Sequence, residues 1–146
     1  MTTQPHPNTI KVSFYVPNLN DHNGSSHHPT DDRQRIFTVV MAHLLRPITV
    51  EQLAEQCGVS PSSFKRKFKF LFGDTPHKWI TCQRLAHAKT MLLDSTLSVK
   101  EITFACGFST PSHFIRSFKA HYGTTPATLR SMLLNGALKN GTAIYK

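Results

Sequence analysis

One block of this sequence is written twice, and that repeat constrains the fold more than any other feature. Val50-Glu-Gln-Leu-Ala-Glu-Gln-Cys-Gly58 returns as Val99-Lys-Glu-Ile-Thr-Phe-Ala-Cys-Gly107, at an offset of 49. After one residue inserted in the following turn, Ser63-Phe-Lys-Arg-Lys-Phe-Lys69 matches His113-Phe-Ile-Arg-Ser-Phe-Lys119. Gly73-Asp-Thr-Pro76 then matches Gly123-Thr-Thr-Pro126, with the offset now 50. Helix caps, glycine stops, aromatic spacing and basic positions all recur, so the chain must build the same supersecondary unit twice.

The punctuation inside the unit identifies it. Thr49 followed three residues later by Gln52 has the form of a capping box, and Gly58 suits the left-handed position just past a helix end. Ser60-Pro61 restarts a helix, because Ser caps and Pro fits the first turn. This second helix should run to about Phe72 and stop at Gly73. Thr75-Pro76 then opens a long helix reaching about Asp94. Each copy is therefore a short helix, a glycine turn and a second helix. Ahead of the first copy, Arg33 to Leu45 places Ile36, Val39, Val40, His43 and Leu44 on one side of a helix, which Pro47 ends.

The expected fold is all-α: two helix-turn-helix subdomains joined by a long connector helix, with about seven helices in total. The domain should occupy residues 33–134. Residues 1–32, rich in Pro, Asn, His, Ser and Thr, read as a disordered or weakly structured tail. Within it Ile10–Val16 alternates weakly like a short strand. His22, His27 and His28 read as part of an unstructured polar segment rather than as a metal site. Residues 135–146 read as a frayed C-terminal tail.

Helical angles of about 100° per residue separate two faces on each second helix. In the first copy Phe64, Phe68, Leu71 and Phe72 share one arc, and Ser62, Lys65, Arg66 and Lys69 share the opposite one. In the second, Phe114, Phe118, His121 and Tyr122 should be buried, with Ser112, Ile115, Arg116 and Lys119 exposed. A helix that reads a DNA groove needs this division. Phenylalanines anchor it, short polar residues such as Ser62, Ser63 and Ser112 near its start permit close approach, Arg pairs with guanine and Lys neutralises phosphate. Either helix alone would more often be an ordinary solvated amphipathic helix. Two in the same register, each behind a helix-turn signal, reverse that preference.

Charge agrees. Lys and Arg number 17 against eight acids, a net charge of +9, and from Gln56 to Lys146 there are 13 basic residues but only Asp74, Asp94 and Glu101 as acids. Such a surface favours polyanions, nucleic acid first and acidic membrane second. The connector, about 19 residues or roughly 28 Å long, approaches the ~34 Å between major-groove faces on one side of B-DNA. Both reading helices could then engage one duplex in a monomer.

Other classes find little support. There is no phosphate-cradling glycine loop, nucleophile motif or pair of acids at helical spacing, so no enzyme is expected. Cys57, Cys82 and Cys106 form no CxxC pair, which argues against a disulfide framework or a zinc site. No metal or other cofactor is expected, and the location should be a reducing bacterial cytoplasm, on the nucleoid when bound. Cys57 and Cys106 should be small core residues, and Cys82 half-buried. Trp79, Ile80 and Leu85 should pack the connector into its lobes, while Phe70 lies outside the core arc. No apolar run approaches the ~20 residues that span a bilayer, and MTTQPHPNT is no signal peptide.

The residues Ile102-Thr-Phe-Ala-Cys-Gly-Phe-Ser-Thr-Pro-Ser-His-Phe-Ile-Arg-Ser-Phe-Lys119, with Gly123-Thr-Thr-Pro126 and Arg130, resemble the second-motif signature of the AraC/XylS family of bacterial regulators. Leu53-Ala-Glu-Gln-Cys-Gly-Val-Ser60 through Phe68-Lys69 is similar to its first motif. The resemblance covers residues 33–134. It implies a seven-helix, two-lobed domain that regulates transcription by placing helices near 60–72 and 110–122 in adjacent major grooves. Base-contacting positions fall on Ser62, Lys65 and Arg66, and on Ser112, His113 and Arg116. Ser62 is small where some members carry a large side chain, and His113 falls at the edge of the exposed arc. An activator of this kind would have RNA polymerase as a second partner, although no surface for it can be singled out.

Most members carry a further domain for an effector or dimerisation, for which the residues ahead of the first helix are too few. Control by protein abundance is therefore expected. Two alternatives remain: a nonspecific architectural DNA binder, and the DNA-binding part of a larger effector-sensing regulator. Bacterial DNA alkyl-transfer proteins share this domain type but need a separate multi-cysteine zinc site, and no cysteine precedes the first helix.

Overall fold

In the computed structural model, residues 29–140 are described, and they form seven helices and no strand. These are α1 (Pro29–His43), α2 (Val50–Gln56), α3 (Pro61–Phe72), α4 (Pro76–Asp94), α5 (Val99–Ala105), α6 (Pro111–Tyr122) and α7 (Pro126–Asn140). The all-α, double helix-turn-helix expectation holds, and the connector has the bounds read from the sequence.

The repeat is faithful down to individual hydrogen bonds. Thr49 caps α2 in a capping box: its hydroxyl accepts from the Gln52 N–H at 3.2 Å, and the Gln52 side chain accepts from the Thr49 N–H at 2.9 Å. Ser98 and Glu101 form the same box on α5, at 3.1 and 2.8 Å. Ser60 and Thr110 cap α3 and α6, each followed by Pro. Both helices stop at a glycine in the left-handed region, Gly73 and Gly123. These caps satisfy backbone donors that a helix leaves unpaired at its start, so each boundary is fixed locally before any packing.

Packing then forms two cores. In the first lobe Ile36, Val40 and Leu44 of the α1 region meet Leu53, Ala54 and Cys57, the three phenylalanines of α3, and Ile80. Trp79 stands edge-on to Phe68, with ring centroids 5.7 Å apart. In the second lobe Leu85, Ala88 and Leu92 meet Ile102, Cys106, Phe108, Phe114 and Phe118. Helix α4 is thus shared. Its first turns complete lobe one, and from Leu85 onward it packs on α5 as α1 packs on α2. Each fully buried Phe or Leu contributes about 1.5–3 kcal/mol through removal of its apolar surface from water.

Three features differ from the sequence expectation. Helix α1 begins four residues before Arg33, with Asp31 and Asp32 in its first turn, where negative side chains offset the positive helix end. Asp32 is also held there by Arg35 at 3.1 Å and by Lys67 of α3 at 2.7 Å. Helix α7 continues past residue 134 to Asn140, because a single glycine, Gly136, weakens a helix without ending it. His121 is exposed rather than part of the buried arc. It lies in the last turn of α6, with its ring edge-on to Tyr122 and its Nδ1 4.0 Å from the Cys82 thiol. The Ile10–Val16 alternation, the histidines His22, His27 and His28, and residues 141–146 lie outside the described residues.

Candidate nucleic-acid interface

On α3, Phe64, Phe68 and Phe72 are buried while Ser62, Lys65, Arg66 and Lys69 are exposed. On α6, Phe114 and Phe118 are buried while Ser112, Ile115, Arg116 and Lys119 are exposed. Each exposed set lines a shallow concave surface. In lobe one Val50 and the start of α4, Thr75, Pro76 and His77, join the four α3 residues. In lobe two Ala120 joins the four from α6. Two expected site residues sit at the margin. Ser63 is half-buried, its N–H donating to the Ser60 hydroxyl at 3.2 Å. His113 is half-buried with its ring edge-on to Phe108 at 5.6 Å.

Val50, Thr75, Pro76, His77 and Ala120 were not among the expected site residues. Thr75, Pro76 and His77 reach the concavity because the tight Gly73–Thr75 turn brings the start of α4 beside α3, and Val50 reaches it because α2 packs on α3. Residue type gives no sign of that proximity. Ile115 lies on the exposed face of α6, as its helical angle implies, although it is not among the expected site residues.

The cations of the two faces fall into two electrostatic classes. Lys67 is tied to Asp32, and Lys65 lies 3.7 Å from Glu51 on α2. A hydrogen bond from its own backbone N–H, together with the nearby Lys65 charge, holds the Glu51 carboxyl below its ordinary range. The Lys65–Glu51 pair is exposed on both sides, so solvent screens it and it contributes little to stability. Arg66, Lys69, Arg116 and Lys119 have no carboxylate within ion-pair distance among the described residues. A paired cation must exchange a carboxylate for a phosphate, whereas these four would exchange only water and small ions.

Burial pushes the Cys57 thiol up, and that of Cys106 to about 12, despite the nearby Arg84 charge. Both stay protonated at neutral pH and fill core positions, since the thiolate is the reactive form. Cys82 is half-buried. Among the described residues no three His, Cys, Asp or Glu side chains are grouped to hold a metal ion, and no helix is long and apolar enough to cross a membrane. The two faces offer hydrogen-bond donors and positive charge.

Comparison with known proteins agrees with this geometry. The family described as "Helix-turn-helix domain" matches residues 53–132. The xylose operon regulatory protein of Escherichia coli K12 is 34% identical over 90 residues, 62% of this chain and 23% of that protein. The chain therefore spans about a quarter of that relative's length. Among solved structures, the DNA-binding domain of the global transcriptional factor AdpA, in complex with a target DNA, is similar with a TM-score of 0.69 and 28% identity. That match covers 75% of this chain and 98% of that one. A transcriptional regulator with an AraC-type DNA-binding domain from Chromobacterium violaceum gives a TM-score of 0.62 at 28% identity, over 71% of this chain and 93% of that one. With its helix-turn-helix match spanning more than half the sequence, the chain belongs to the AraC family of helix-turn-helix DNA-binding regulators.

Proposed function

We propose that this chain is a sequence-specific transcription regulator that reads two successive major grooves of one duplex, α3 in one and α6 in the next. Arg66 and Arg116 pair with guanine edges. Ser62, Ser63, Lys65, Ser112 and His113 complete the base contacts, and Lys69 and Lys119 hold phosphates. A single observation carries this reading: two helices, each capped by a hydroxyl and anchored by two buried phenylalanines at matching positions, present Arg66 with Lys69 and Arg116 with Lys119 in the same register, none within ion-pair distance of a carboxylate among the described residues. The chain binds as a monomer, because both reading helices belong to one polypeptide joined by the 19-residue α4. It acts in the bacterial cytoplasm as a regulator rather than an enzyme, with RNA polymerase as its protein partner when it activates.

The test is binding of the purified chain to a randomised duplex library at near-physiological salt, followed by sequencing of the bound fraction. Two short enriched blocks about one helical turn apart are expected. Salt-sensitive binding without enrichment would replace specific reading with nonspecific phosphate attraction.

A further inference from the structure

Among the described residues four glycines have positive φ, and in three of them, Gly58, Gly73 and Gly123, an added Cβ would meet nothing within 4 Å. Gly107 differs. It ends α5 in lobe two at φ +80, and a Cβ there would lie 3.0 Å from the backbone carbon of Leu45 and 3.1 Å from the guanidinium of Arg84. Leu45 belongs to lobe one, in the loop between α1 and α2. Arg84 lies at the middle of α4, just before the helix passes from one core to the other.

From there Arg84 spans the boundary. Its Nε donates to the Leu44 carbonyl at 2.7 Å and its Nη2 to the Arg46 carbonyl at 2.6 Å. Both acceptors lie just past the end of α1, where carbonyls have no intrahelical donor and the helix end attracts positive charge. A planar guanidinium can hold two separate carbonyls at once, which an ammonium cannot do with the same geometry. The α1–α2 loop of lobe one is thereby fixed between Arg84 and Gly107, a second connection between the lobes beside α4 itself.

We infer that Arg84 and Gly107 are positioning residues that hold the two reading helices at one separation and angle, and so set which spacing between half-sites the protein accepts. The inference rests on the two-groove reading proposed above. A helix joining two lobes resists stretching but permits bending and twisting, and this contact removes that freedom. One added base pair turns a half-site by about a tenth of a helical turn, which a rigid pair of lobes cannot follow.

The experiment uses the full chain and duplexes carrying the library-enriched blocks at their native spacing, or with one base pair inserted or deleted between them. The wild type should lose at least about tenfold in affinity on either altered duplex, the equivalent of one mismatched contact. Arg84→Gln should bind the native duplex more weakly and reduce that discrimination to threefold or less, and Arg84→Lys should fall between. Gly107→Ala should lose discrimination by an independent route.

Discrimination is a ratio taken on one folded protein, so a variant that has merely lost stability leaves it unchanged. A wild type that tolerates both spacings within threefold overturns the inference without any variant. So do folded Arg84→Gln and Arg84→Lys proteins with the wild-type ratio. Failure of the wild type to enrich any site removes the underlying reading instead, and the inference with it.

Discussion

The two lobes share their scaffold and differ in what they show to solvent. The capping box of α2 recurs in α5, and the proline after the cap, the closing left-handed glycine and the buried Phe64 and Phe68 of α3 recur in α6, where half-buried Tyr122 stands in place of Phe72. Core positions exchange one apolar or small side chain for another, as Leu53 for Ile102 and Ala54 for Thr103, whereas the outer positions change charge and polarity. Lys65 corresponds to Ile115, Lys67 to Ser117, Phe70 to Ala120, and on the preceding helix Glu51 corresponds to Lys100. Local signals that define a helix-turn-helix tolerate little change, since each satisfies a backbone group or fills a core. The exposed face is free to diverge. Two lobes with one scaffold and different faces should read different base pairs, which suits an asymmetric site occupied by a monomer.

If the scaffolds are equivalent, matching core truncations should cost the same. Phe64 and Phe114 are both fully buried, so Phe64→Ala and Phe114→Ala should each destabilise the protein by about 3–5 kcal/mol. Urea unfolding followed by circular dichroism measures this. A difference above ~2 kcal/mol would show that one lobe carries the stability of both, and the comparison would fail at its base.

The next effect tests whether the two faces act independently. Arg66→Ala and Arg116→Ala should each weaken binding to the enriched duplex by about 1–3 kcal/mol, with relaxed preference at one guanine apiece. The two sites share no partner, so the double variant should show the sum of both losses within ~0.5 kcal/mol. Equal weakening on every sequence would assign that arginine to phosphate and leave its lobe without a reader.

Much of this was legible in the sequence because it is local. Thr49 and Gln52 meet three residues apart, and Phe64, Phe68 and Phe72 mark their own face. Ser60-Pro61 announces the helix it begins. The contact between Arg84 and the Leu44 and Arg46 carbonyls joins residues 40 and 38 positions apart. Its acceptors are backbone atoms that any residue would supply, so composition and periodicity carry no trace of it. Gly107 reads like Gly58 in the repeat, and only the approach of Leu45 and Arg84 separates them. The ion pair of Lys67 with Asp32 joins residues 35 positions apart and likewise leaves no local mark in the sequence. His121 has the helical angle of a buried residue and is nonetheless exposed, while Tyr122 beside it packs against the second core.

Ile115 sharpens the comparison further. It is exposed on the reading face of α6, where lobe one has Lys65, and an apolar side chain in the major groove fits a thymine methyl. Replacing a single thymine by deoxyuridine in the lobe-two block should cost the wild type about 0.8 kcal/mol, the value of one buried methyl group, or roughly fourfold in Kd. Ile115→Ala should be insensitive to that exchange. The same exchange throughout the lobe-one block should have no effect attributable to position 65. Sensitivity that persists in Ile115→Ala would place the thymine against another residue.

The smallest effects should have opposite signs at equivalent positions. Glu51 holds Lys65 at 3.7 Å and adds a negative charge beside the face proposed to meet phosphate. Glu51→Gln should therefore strengthen binding modestly, by about two- to fivefold at low salt, as for other exposed charges. It should also steepen the salt dependence by up to about one unit as Lys65 becomes free to displace a counterion. Lys100 occupies the matching position in lobe two with the opposite charge. Lys100→Gln should weaken binding by a similar factor and flatten the salt dependence by about 0.9 for the one phosphate contact it removes. Fluorescence anisotropy across a salt series measures both variants on one duplex. Changes of the same sign would mean that α2 and α5 do not face the duplex alike, and the two lobes would then differ in docking as well as in the bases they read.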